Sequence, residues 1–409
     1  MKFTTRVLSS RFLKDDPHGS LRMPVYDNAA FEFASAEELE LAFLGKNPAH
    51  AYSRITNPTV EDLELRIKEG TGAIGVVALS SGMAAIANVI MTIASFGDNI
   101  VTTRHLFGNT YSLFENTLKA WGLETRYADF TDLAGVEKHL DGRTKAVFLE
   151  TITNPQLEVA DIRALSDIAR ERRVPVIADT TLTPPGLFRS GDFGIDIEVI
   201  SSTKYISGGA TSVGGLIIDN GKFDWRANSK LAPDAKKFGP FAFLSRLRRE
   251  VYRNLGACMS PHSAYLQSLG LETLELRAGA ASANAEKLAL FLEGARGVKS
   301  VNYPGLKSSK YYVTAKEQFG GKFGSLLTFD LASKEECFKL MNGLKILRRA
   351  TNIQDNRSLV IHPESTIFAE YPDAVKSSMG IRKTTVRISA GIEDADDLIA
   401  DIKNALEAL

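Results

Sequence analysis

Residues 199–209 read Val199-Ile200-Ser201-Ser202-Thr203-Lys204-Tyr205-Ile206-Ser207-Gly208-Gly209. The apolar residues that lead into this segment predict a buried strand, and Lys204 follows soon after the strand ends. An uncompensated buried ammonium is costly, so a lysine in this position is expected to have a lowered pKa. A desolvated lysine amine is a nucleophile that can condense with an aldehyde. The alternative is a lysine that points into water, which is the commoner case for an isolated lysine.

An acidic residue stands at the end of a second predicted strand. The run Val174-Pro175-Val176-Ile177-Ala178 is apolar and is followed by Asp179. A lysine that captures an aldehyde and an aspartate that holds a pyridinium nitrogen are the two protein groups that pyridoxal phosphate (PLP) requires. The pair of Lys204 and Asp179 therefore predicts a PLP site.

Length and composition set the class of protein. At 409 residues the chain exceeds one typical core, so about two or three domains are expected. The 49 basic and 49 acidic residues balance, which argues against nucleic-acid binding. Cys258 and Cys337 lie far apart without CxxC spacing, so neither disulfides nor a metal site is expected, and a reducing cytoplasm is favoured. No apolar run suits a signal peptide or a membrane span, so no membrane partner is expected.

The chain divides into three parts by pattern. Residues 1–60 show only one short helical patch, Ala36–Phe43, and are predicted to form an arm without its own core. Across residues 61–258, short apolar strands alternate with amphipathic helices, which indicates an α/β domain with a mostly parallel sheet. Residues 259–409 are predicted to form a smaller α+β domain.

Some local elements are also predicted. Pro58 is expected at the first position of a helix, with Asn57 as its N-cap. Residues 223–249 are basic and are expected to be irregular. Helices are expected over residues 264–279 and 283–294.

Polar clusters follow three of the predicted strands, at residues 150–154, 179–181 and 201–204. In parallel sheets, ligands bind outside the carboxyl ends of the strands. The three clusters therefore predict one site at that edge of the sheet.

Several residues are candidates for binding anionic groups. Ser81 and Gly82 precede a predicted helix, whose N-terminal N–H groups suit a phosphate; a plain serine-capped helix is the alternative. Arg54, beside Tyr52, is a candidate for a second phosphate contact, made from the arm of a neighbouring subunit. Arg387 lies on an apolar predicted strand and needs an anionic partner, which is either a substrate carboxylate or a structural acid.

Taken together, the segments 201–208, 52–59 and 80–83 resemble motifs of the Cys/Met-metabolism family of PLP enzymes. This family includes cystathionine synthases and lyases, methionine γ-lyase and O-acetylhomoserine sulfhydrylase. The similarity extends from Tyr52 to the C-terminus. It implies a PLP-dependent transferase of fold type I, like aspartate aminotransferase, with a mostly parallel seven-stranded sheet.

The resemblance implies a role for each matching residue. Lys204 forms the Schiff base with the cofactor and moves protons, while Asp179 pairs with the pyridine nitrogen. Asn154 hydrogen-bonds the ring 3'-oxygen. The phosphate is held by residues of one subunit and of its neighbour, namely Ser81, Gly82, Met83, Ser201 and Thr203 of one and Tyr52 and Arg54 of the other. An active dimer, paired into a homotetramer, is therefore expected.

Two departures from the family bear on the subgroup. Phe107 occupies the position of a ring-stacking tyrosine that is common in the lyases, and it lacks a hydroxyl. Asn352 lies in a segment that replaces the family's Ser-Leu-Gly, so Asn352 and Arg387 are expected to bind the substrate carboxylate together. Residues 355–366 are similar to the sulfhydrylase version. His362 within them is expected to be structural, because Lys204 already suits the proton transfers.

The resemblance implies a cytoplasmic enzyme that converts O-acetyl-L-homoserine and a sulfide donor to L-homocysteine and acetate in methionine biosynthesis. The alternatives are a methionine or cystathionine γ-lyase and a cystathionine γ-synthase. A relative without catalysis is disfavoured, because Lys204, Asp179 and Arg387 are all present. The sequence leaves two choices open, between acetyl and succinyl esters and between free sulfide and a sulfur carrier.

Overall fold

The computed structural model describes residues 1–11 and 16–409, and within them the strands form two β-sheets. The larger sheet has seven strands in the order β1-β7-β6-β5-β4-β2-β3, and the smaller has five in the order β10-β11-β12-β9-β8. The strands of the larger sheet are β1 Gly75–Leu79, β2 Asn99–Thr102, β3 Glu124–Tyr127, β4 Thr144–Glu150, β5 Val176–Asp179, β6 Ile197–Ile200 and β7 Gly215–Asp219. Those of the smaller sheet are β8 Ser300–Asn302, β9 Leu326–Asp330, β10 Arg348–Arg349, β11 Leu359–Ile361 and β12 Thr385–Ser389.

The larger sheet is mostly parallel, as the sequence predicts. Strands β6, β5, β4, β2 and β3 pair in parallel, and β7 alone runs antiparallel to both of its neighbours, β1 and β6. Strands β2, β4 and β6 are buried at every residue. Continuous apolar runs of this kind are typical of strands that are covered on both faces by helices. The expected α/β class is confirmed.

The helices cover both faces of the larger sheet and one side of the smaller. They are α1 Phe3–Ser9, α2 Ala36–Phe43, α3 Pro58–Thr71, α4 Gly82–Ile93, α5 Gly108–Ser112, α6 Leu133–Lys138, α7 Ile162–Glu171, α8 Ala232–Phe238, α9 Ala242–Arg246, α10 Arg253–Leu255, α11 Pro261–Glu272, α12 Leu274–Glu293, α13 Tyr312–Phe319, α14 Lys334–Gly343, α15 Asp373–Ser378 and α16 Ala395–Glu407. None of the helices described here is long and apolar enough to cross a membrane.

Helix starts follow the capping residues of the sequence. Asn57 accepts a hydrogen bond from Thr59 N and Pro58 occupies the first turn of α3, as predicted. Ser81 caps α4 by accepting from Ala84 N at 3.1 Å. The Ser81 cap marks where α4 begins, just after β1 ends at Leu79, and this junction borders the site described below.

The N-terminal segment lies mainly at the surface. Helix α2 forms over Ala36–Phe43 as predicted, but it has no buried residue. Helix α1 was not predicted; its Val7 is fully buried and joins the core beside α3. Helix α1 is therefore packed against the rest of its own chain, whereas α2 is not.

Two predictions of helix placement are wrong. Residues 223–249 are not irregular, because α8 and α9 form within them. Their basic residues suggested a solvated loop, yet Arg248 is paired with the buried Glu64 at 2.6 Å. The helices expected at 264–279 and 283–294 are instead α11 and α12, and the interruption between the two helices lies at Thr273. The alanine-rich sequence of α12 continues where a break was expected, since alanine favours helix.

Candidate active site

The carboxyl ends of β4, β5 and β6 open into one cavity of about 440 Å³. Strands β4 and β5 pair in register so that Glu150 lies opposite Asp179. Helix α4, the Phe107 loop and a loop of the smaller sheet complete the walls. The cavity is lined by Ser81, Gly82, Met83, Ile86, Phe107, Thr110, Glu150, Ile152, Asn154, Asp179, Thr181, Leu182, Ser201, Thr203, Lys204, Val213, Thr351, Asn352, Ile353, Ile367 and Arg387. All predicted site residues except Tyr52 and Arg54 are among them.

Lys204 follows β6 in a turn in which its backbone N–H donates to the carbonyl of Ser201 at 3.1 Å. Its Nζ donates to Asn352 Oδ1 at 2.5 Å. Burial lowers the pKa of Lys204 to about 8, with a further contribution from the positive charge of Arg387, while Asp179 opposes the shift. The amine is therefore partly neutral near physiological pH, as a nucleophile requires.

Asp179 ends β5 and accepts a hydrogen bond from Thr181 N at 2.9 Å. Burial raises the pKa of its carboxyl, and the hydrogen bonds of Thr181 and the charge of Lys204 act against this rise. A partly buried carboxylate of this kind is stabilised when a cation comes to lie against it. A protonated pyridine nitrogen would supply that cation.

A tight junction between α4 and the end of β6 forms the candidate phosphate subsite. A Cβ atom on Gly82 would lie 2.7 Å from Ser201 Cβ, so only glycine allows this approach. Thr203 Oγ1 accepts from Gly214 N at 3.0 Å, which fixes the turn that carries Lys204. The first turn of α4 and the Ser201 and Thr203 hydroxyls therefore meet at one end of the cavity, where a phosphate suits the helix N-terminus.

Arg387 lies on β12 and is only 2% exposed. Its Nη1 donates to Asn154 Oδ1 at 2.9 Å, and its other close contacts are the carbonyls of Thr351 and Asn352 at 3.5 and 3.4 Å. Among the described residues these side-chain contacts include no acid, and the Arg387 Nε has no hydrogen-bond acceptor. Burial lowers the pKa of this guanidinium. Of the two predicted partners, a structural acid is therefore not found, and an anionic ligand would complete the site.

Tyr52 and Arg54 do not reach the cavity of their own chain. The Tyr52 side chain is 43% exposed, and Arg54 Nη1 donates to the carbonyl of Arg253 at 2.6 Å. The Arg54 guanidinium also lies 5.4 Å from the centre of the Tyr52 ring. Both stand on the surface, so their expected role at the site of another subunit stays a prediction.

Sequence reasoning assigned no role to Glu150 or Thr110, yet both line the cavity. Glu150 is buried, and Thr110 Oγ1 is buried without a hydrogen-bond partner in the described chain. The sequence signal for Glu150 was its position at the end of a predicted strand, four residues before Asn154. His362 lies outside the cavity lining, and its two ring nitrogens contact Ser365 Oγ and the carbonyl of Lys383, as expected of a structural residue.

The residues present fit PLP. In the part of the chain that the structure describes, one cavity holds a lysine with a lowered pKa, a partly buried carboxylate without an ion-pair partner, a helix N-terminus with adjacent hydroxyls, and an arginine that lacks an anion. These groups match the aldehyde, the ring nitrogen, the phosphate and the carboxylate of an amino-acid substrate, respectively.

Known proteins of sulfur amino-acid metabolism are similar to this chain over most of its length. An O-acetyl-L-homoserine sulfhydrylase from Corynebacterium glutamicum is 37% identical over 100% of this chain and 97% of its own length. The solved structure of an O-acetylhomoserine sulfhydrylase of methionine biosynthesis from Wolinella succinogenes is 50% identical, with a TM-score of 0.78, over 87% of this chain and 99% of that one. An L-methionine γ-lyase from Pseudomonas putida is 33% identical over 99% of this chain and 97% of its own.

The fold and the cofactor are confirmed by a further solved structure and by the family match. The crystal structure of a putative O-acetylhomoserine (thiol)-lyase from Campylobacter jejuni has 34% identity and a TM-score of 0.94, with full coverage of both chains. That protein carries a pyridoxyl-phosphate adduct of a lysine. The sequence profile described as Cys/Met metabolism PLP-dependent enzyme matches residues 4–407. The chain belongs to this family of PLP-dependent enzymes.

Proposed function

We propose that the enzyme catalyses γ-replacement, converting O-acetyl-L-homoserine and sulfide to L-homocysteine and acetate. The observation that carries the proposal is the composition of the cavity wall. Lys204 and Arg387 are the only cationic side chains that line it within the described residues. The similarity to O-acetylhomoserine sulfhydrylases supports the same reaction.

The substrate carboxylate is assigned to Arg387. Its guanidinium has no anionic partner among residues 1–11 and 16–409, and Asn154 Oδ1 and two backbone carbonyls hold its orientation. Asn352, which also lines the cavity, can donate its amide N–H groups to the same carboxylate. A bidentate contact fixes the position of the amino acid as well as its charge.

Lys204 is the group that moves protons. PLP, when bound, withdraws electrons from the substrate Cα and so makes its proton acidic. A carboxylate held by Arg387 places Cα in the cavity that also contains Lys204 Nζ, which accepts that proton. Removal of a second proton, from Cβ, expels acetate with the electron pair of the Cγ–O bond. Sulfide then adds to Cγ, and protons return to Cβ and Cα.

Apart from the residues already assigned to PLP and to the substrate carboxylate, the described lining of the cavity has no cation and is largely aliphatic, with three threonines, Thr110, Thr181 and Thr351. The aliphatic side chains are Ile86, Ile152, Leu182, Val213, Ile353 and Ile367. Two further arginines lie outside this lining, since Arg104 stacks 4.3 Å from the centre of the Tyr127 ring and Arg348 is exposed on β10. A succinyl carboxylate would lie against this wall without a cation, which is costly. The cavity of one subunit therefore favours the neutral acetyl ester.

A γ-lyase is the second candidate, because the chain is also similar to an L-methionine γ-lyase. Phe107 favours the sulfhydrylase, since a lyase that depends on a tyrosine hydroxyl at this position would lack its proton donor. Cystathionine synthesis differs only in the sulfur nucleophile, with cysteine in place of sulfide. Cysteine would bring a second carboxylate into a cavity whose described lining has Lys204 and Arg387 as its only cations, which favours sulfide.

The assembly and compartment belong to the same proposal. We assign residues 1–60 to an arm that brings Tyr52 and Arg54 to the phosphate of a neighbouring subunit, residues 61–258 to the PLP-binding domain, and residues 259–409 to a smaller domain. The exposed apolar side chains of α2, such as Phe43, suit a contact with that neighbour. A homotetramer of two such dimers in the cytoplasm is proposed.

Initial rates on a panel of substrates test this function. PLP-loaded protein is given O-acetyl- or O-succinyl-L-homoserine, with sulfide or cysteine as nucleophile. The proposal predicts that acetyl ester with sulfide is at least about tenfold faster than any other pair, since an unpaired carboxylate in the cavity costs more than 1.4 kcal/mol. Equal or faster turnover of the succinyl ester, or of cysteine, would overturn the substrate assignment.

A further inference from the structure

Glu150 is a buried acid whose two carboxylate oxygens serve two different loops. It ends β4 and is 6% exposed. Its Oε1 accepts a hydrogen bond from Phe107 N at 2.6 Å, and its Oε2 accepts from Asn154 N at 3.2 Å. Phe107 is 43 residues before Glu150 in the chain, so this bond ties two distant parts of the cavity wall together.

The contacts of Glu150 continue to the other side of the cavity. Asn154, whose N–H is held by Glu150, accepts from Arg387 Nη1 through its side chain at 2.9 Å. A continuous series of hydrogen bonds therefore runs from Phe107 through Glu150 and Asn154 to Arg387. Its first member is assigned to stack on the cofactor ring and its last to bind the substrate carboxylate.

The presence of an acid at position 150 is not explained by fold stability. Burial and the neighbouring Asp179 raise the pKa of the Glu150 carboxyl well above its ordinary value, the N–H groups of Phe107 and Asn154 act against this rise, and no cation pairs with Glu150 within the described chain. Two acids that face each other on adjacent buried strands repel, so an uncharged residue would cost the fold less. A second acid beside Asp179, with both of its oxygens hydrogen-bonded to loops of the cavity wall, points to a role at the site.

We infer that Glu150 is a positioning residue that sets the Phe107 ring against the cofactor and, through Asn154, sets the direction of the Arg387 guanidinium. The part that concerns Arg387 rests on the proposed function, whereas the part that concerns Phe107 depends only on PLP binding. A carboxylate suits this place because it offers two acceptor oxygens and no donor. A glutamine side chain has only one acceptor oxygen. Its NH₂ group would face the backbone N–H of either Phe107 or Asn154, and two donors cannot form a hydrogen bond with each other.

The substitution Glu150→Gln tests the inference, with Glu198→Gln as the matched control. Glu198 is an equally buried acid on β6, where its Oε2 accepts from Thr180 Oγ1 at 2.9 Å, but it does not line the cavity. Both variants are compared with the native protein for the melting temperature of the apoprotein, PLP affinity by titration, and circular dichroism of the bound cofactor. The KM and kcat for O-acetyl-L-homoserine are also measured.

We expect E150Q to bind PLP about tenfold more weakly, because a hydrogen bond to a charged group contributes this much. The circular dichroism band of bound PLP should shrink as the ring loses its fixed stacking, and KM should rise about tenfold with a smaller change in kcat. E198Q should match the native protein in all cofactor and substrate measurements. Native-like PLP affinity and circular dichroism in E150Q, or the same losses in E198Q, would overturn the inference.

A second variant covers the case in which E150Q does not fold. Glu150→Asp keeps the charge but shortens the side chain by one methylene, so it cannot reach both Phe107 N and Asn154 N. E150D should show the same weaker PLP binding and smaller circular dichroism band, and native values in E150D would also contradict the role. PLP affinity and circular dichroism can be measured even if the native enzyme makes no homocysteine. A failure of the proposed function can therefore be told apart from a failure of the role given to Glu150.

Discussion

Lys204 Nζ donates a hydrogen bond of 2.5 Å to Asn352 Oδ1, which joins the turn after β6 to the loop between β10 and β11 of the smaller sheet. The two residues are 148 positions apart in the chain. The nucleophilic amine of the larger sheet is therefore held by a residue that the smaller sheet carries. This contact has a direct consequence for the protonation of Lys204.

Capture of PLP by the apoprotein should depend on pH through Lys204. Because the neutral amine attacks the aldehyde, the capture rate should rise with pH, with a midpoint near the Lys204 pKa of about 8. Asn352→Ala removes an acceptor that favours the charged amine, so the midpoint should move to lower pH. Rapid-mixing absorbance measurements from pH 6 to 10 would show this shift. An unchanged midpoint in N352A would contradict the role given to the hydrogen bond.

Arg387→Met separates ligand binding from a structural role. The variant should raise KM for O-acetyl-L-homoserine by about 100-fold, since loss of a charge-assisted bidentate contact costs roughly 3 kcal/mol. The melting temperature of the apoprotein should not fall, because Arg387 has no acidic partner to lose among the described residues and its burial as a cation is costly. Arg104→Met, which lies outside the cavity lining, is the control for KM. Strong destabilisation of R387M would instead indicate a structural arginine.

Phe107 is expected to contribute stacking and to limit elimination. Phe107→Ala should weaken PLP binding about three- to tenfold, which corresponds to the ~0.5–1.5 kcal/mol of an aromatic contact. Phe107→Tyr should retain PLP and add a proton donor, so the ratio of 2-oxobutyrate to homocysteine should increase. Product analysis by chromatography measures this ratio. No change in F107Y would show that the hydroxyl does not separate the two reactions.

Subunit complementation tests the arm. Lys204→Ala and Arg54→Ala should each be nearly inactive alone, K204A because it lacks the nucleophile and R54A because it lacks a phosphate contact. If Arg54 serves the site of a neighbour, mixed dimers contain one site with neither substitution, so random pairing restores about a quarter of native activity. No recovery in co-expressed, PLP-loaded protein would place Arg54 at the site of its own chain.

Asp219 gives a pH dependence of stability away from the site. Burial, aided by the nearby Asp196, raises its pKa from 3.8 to about 7, while the Gly221 N–H opposes the shift. Between these values the folded chain binds more protons than the unfolded chain, so the stability contributed by neutral Asp219 is lost as pH rises through 7. Asp219→Asn should raise the melting temperature relative to the native protein more at pH 8 than at pH 5, by roughly 2 °C or more. If D219N raised the melting temperature equally at pH 5 and at pH 8, titration of Asp219 between these pH values would be ruled out.

Much of the fold and part of the site follow from local sequence. Lys204 and Asp179 were predicted because each follows an apolar run, and strands of a parallel sheet deliver such residues to one edge. The start of α3 follows from Asn57 and Pro58. The spacing of apolar residues and the identity of capping residues are features of a few neighbouring positions. Strands and helix starts can therefore be predicted from the sequence alone.

Other features depend on contacts between distant residues. Arg387 meets Asn154 across 233 positions, and Arg248 meets Glu64 across 184, so no local pattern contains either pair. Basic residues look solvated in sequence, which is why the helices within 223–249 were missed. The second acid at the cavity, Glu150, was visible as the end of a strand, but its two hydrogen bonds became evident only from the structure.

The central claim is tested most directly by incubating PLP-loaded protein with O-acetyl-L-homoserine, with and without sulfide, and identifying the products. γ-Replacement predicts homocysteine and acetate in equal amounts when sulfide is present, and little turnover when it is absent. Formation of ammonia and 2-oxobutyrate without sulfide, at a rate equal to that with sulfide, would contradict the claim and identify a γ-lyase.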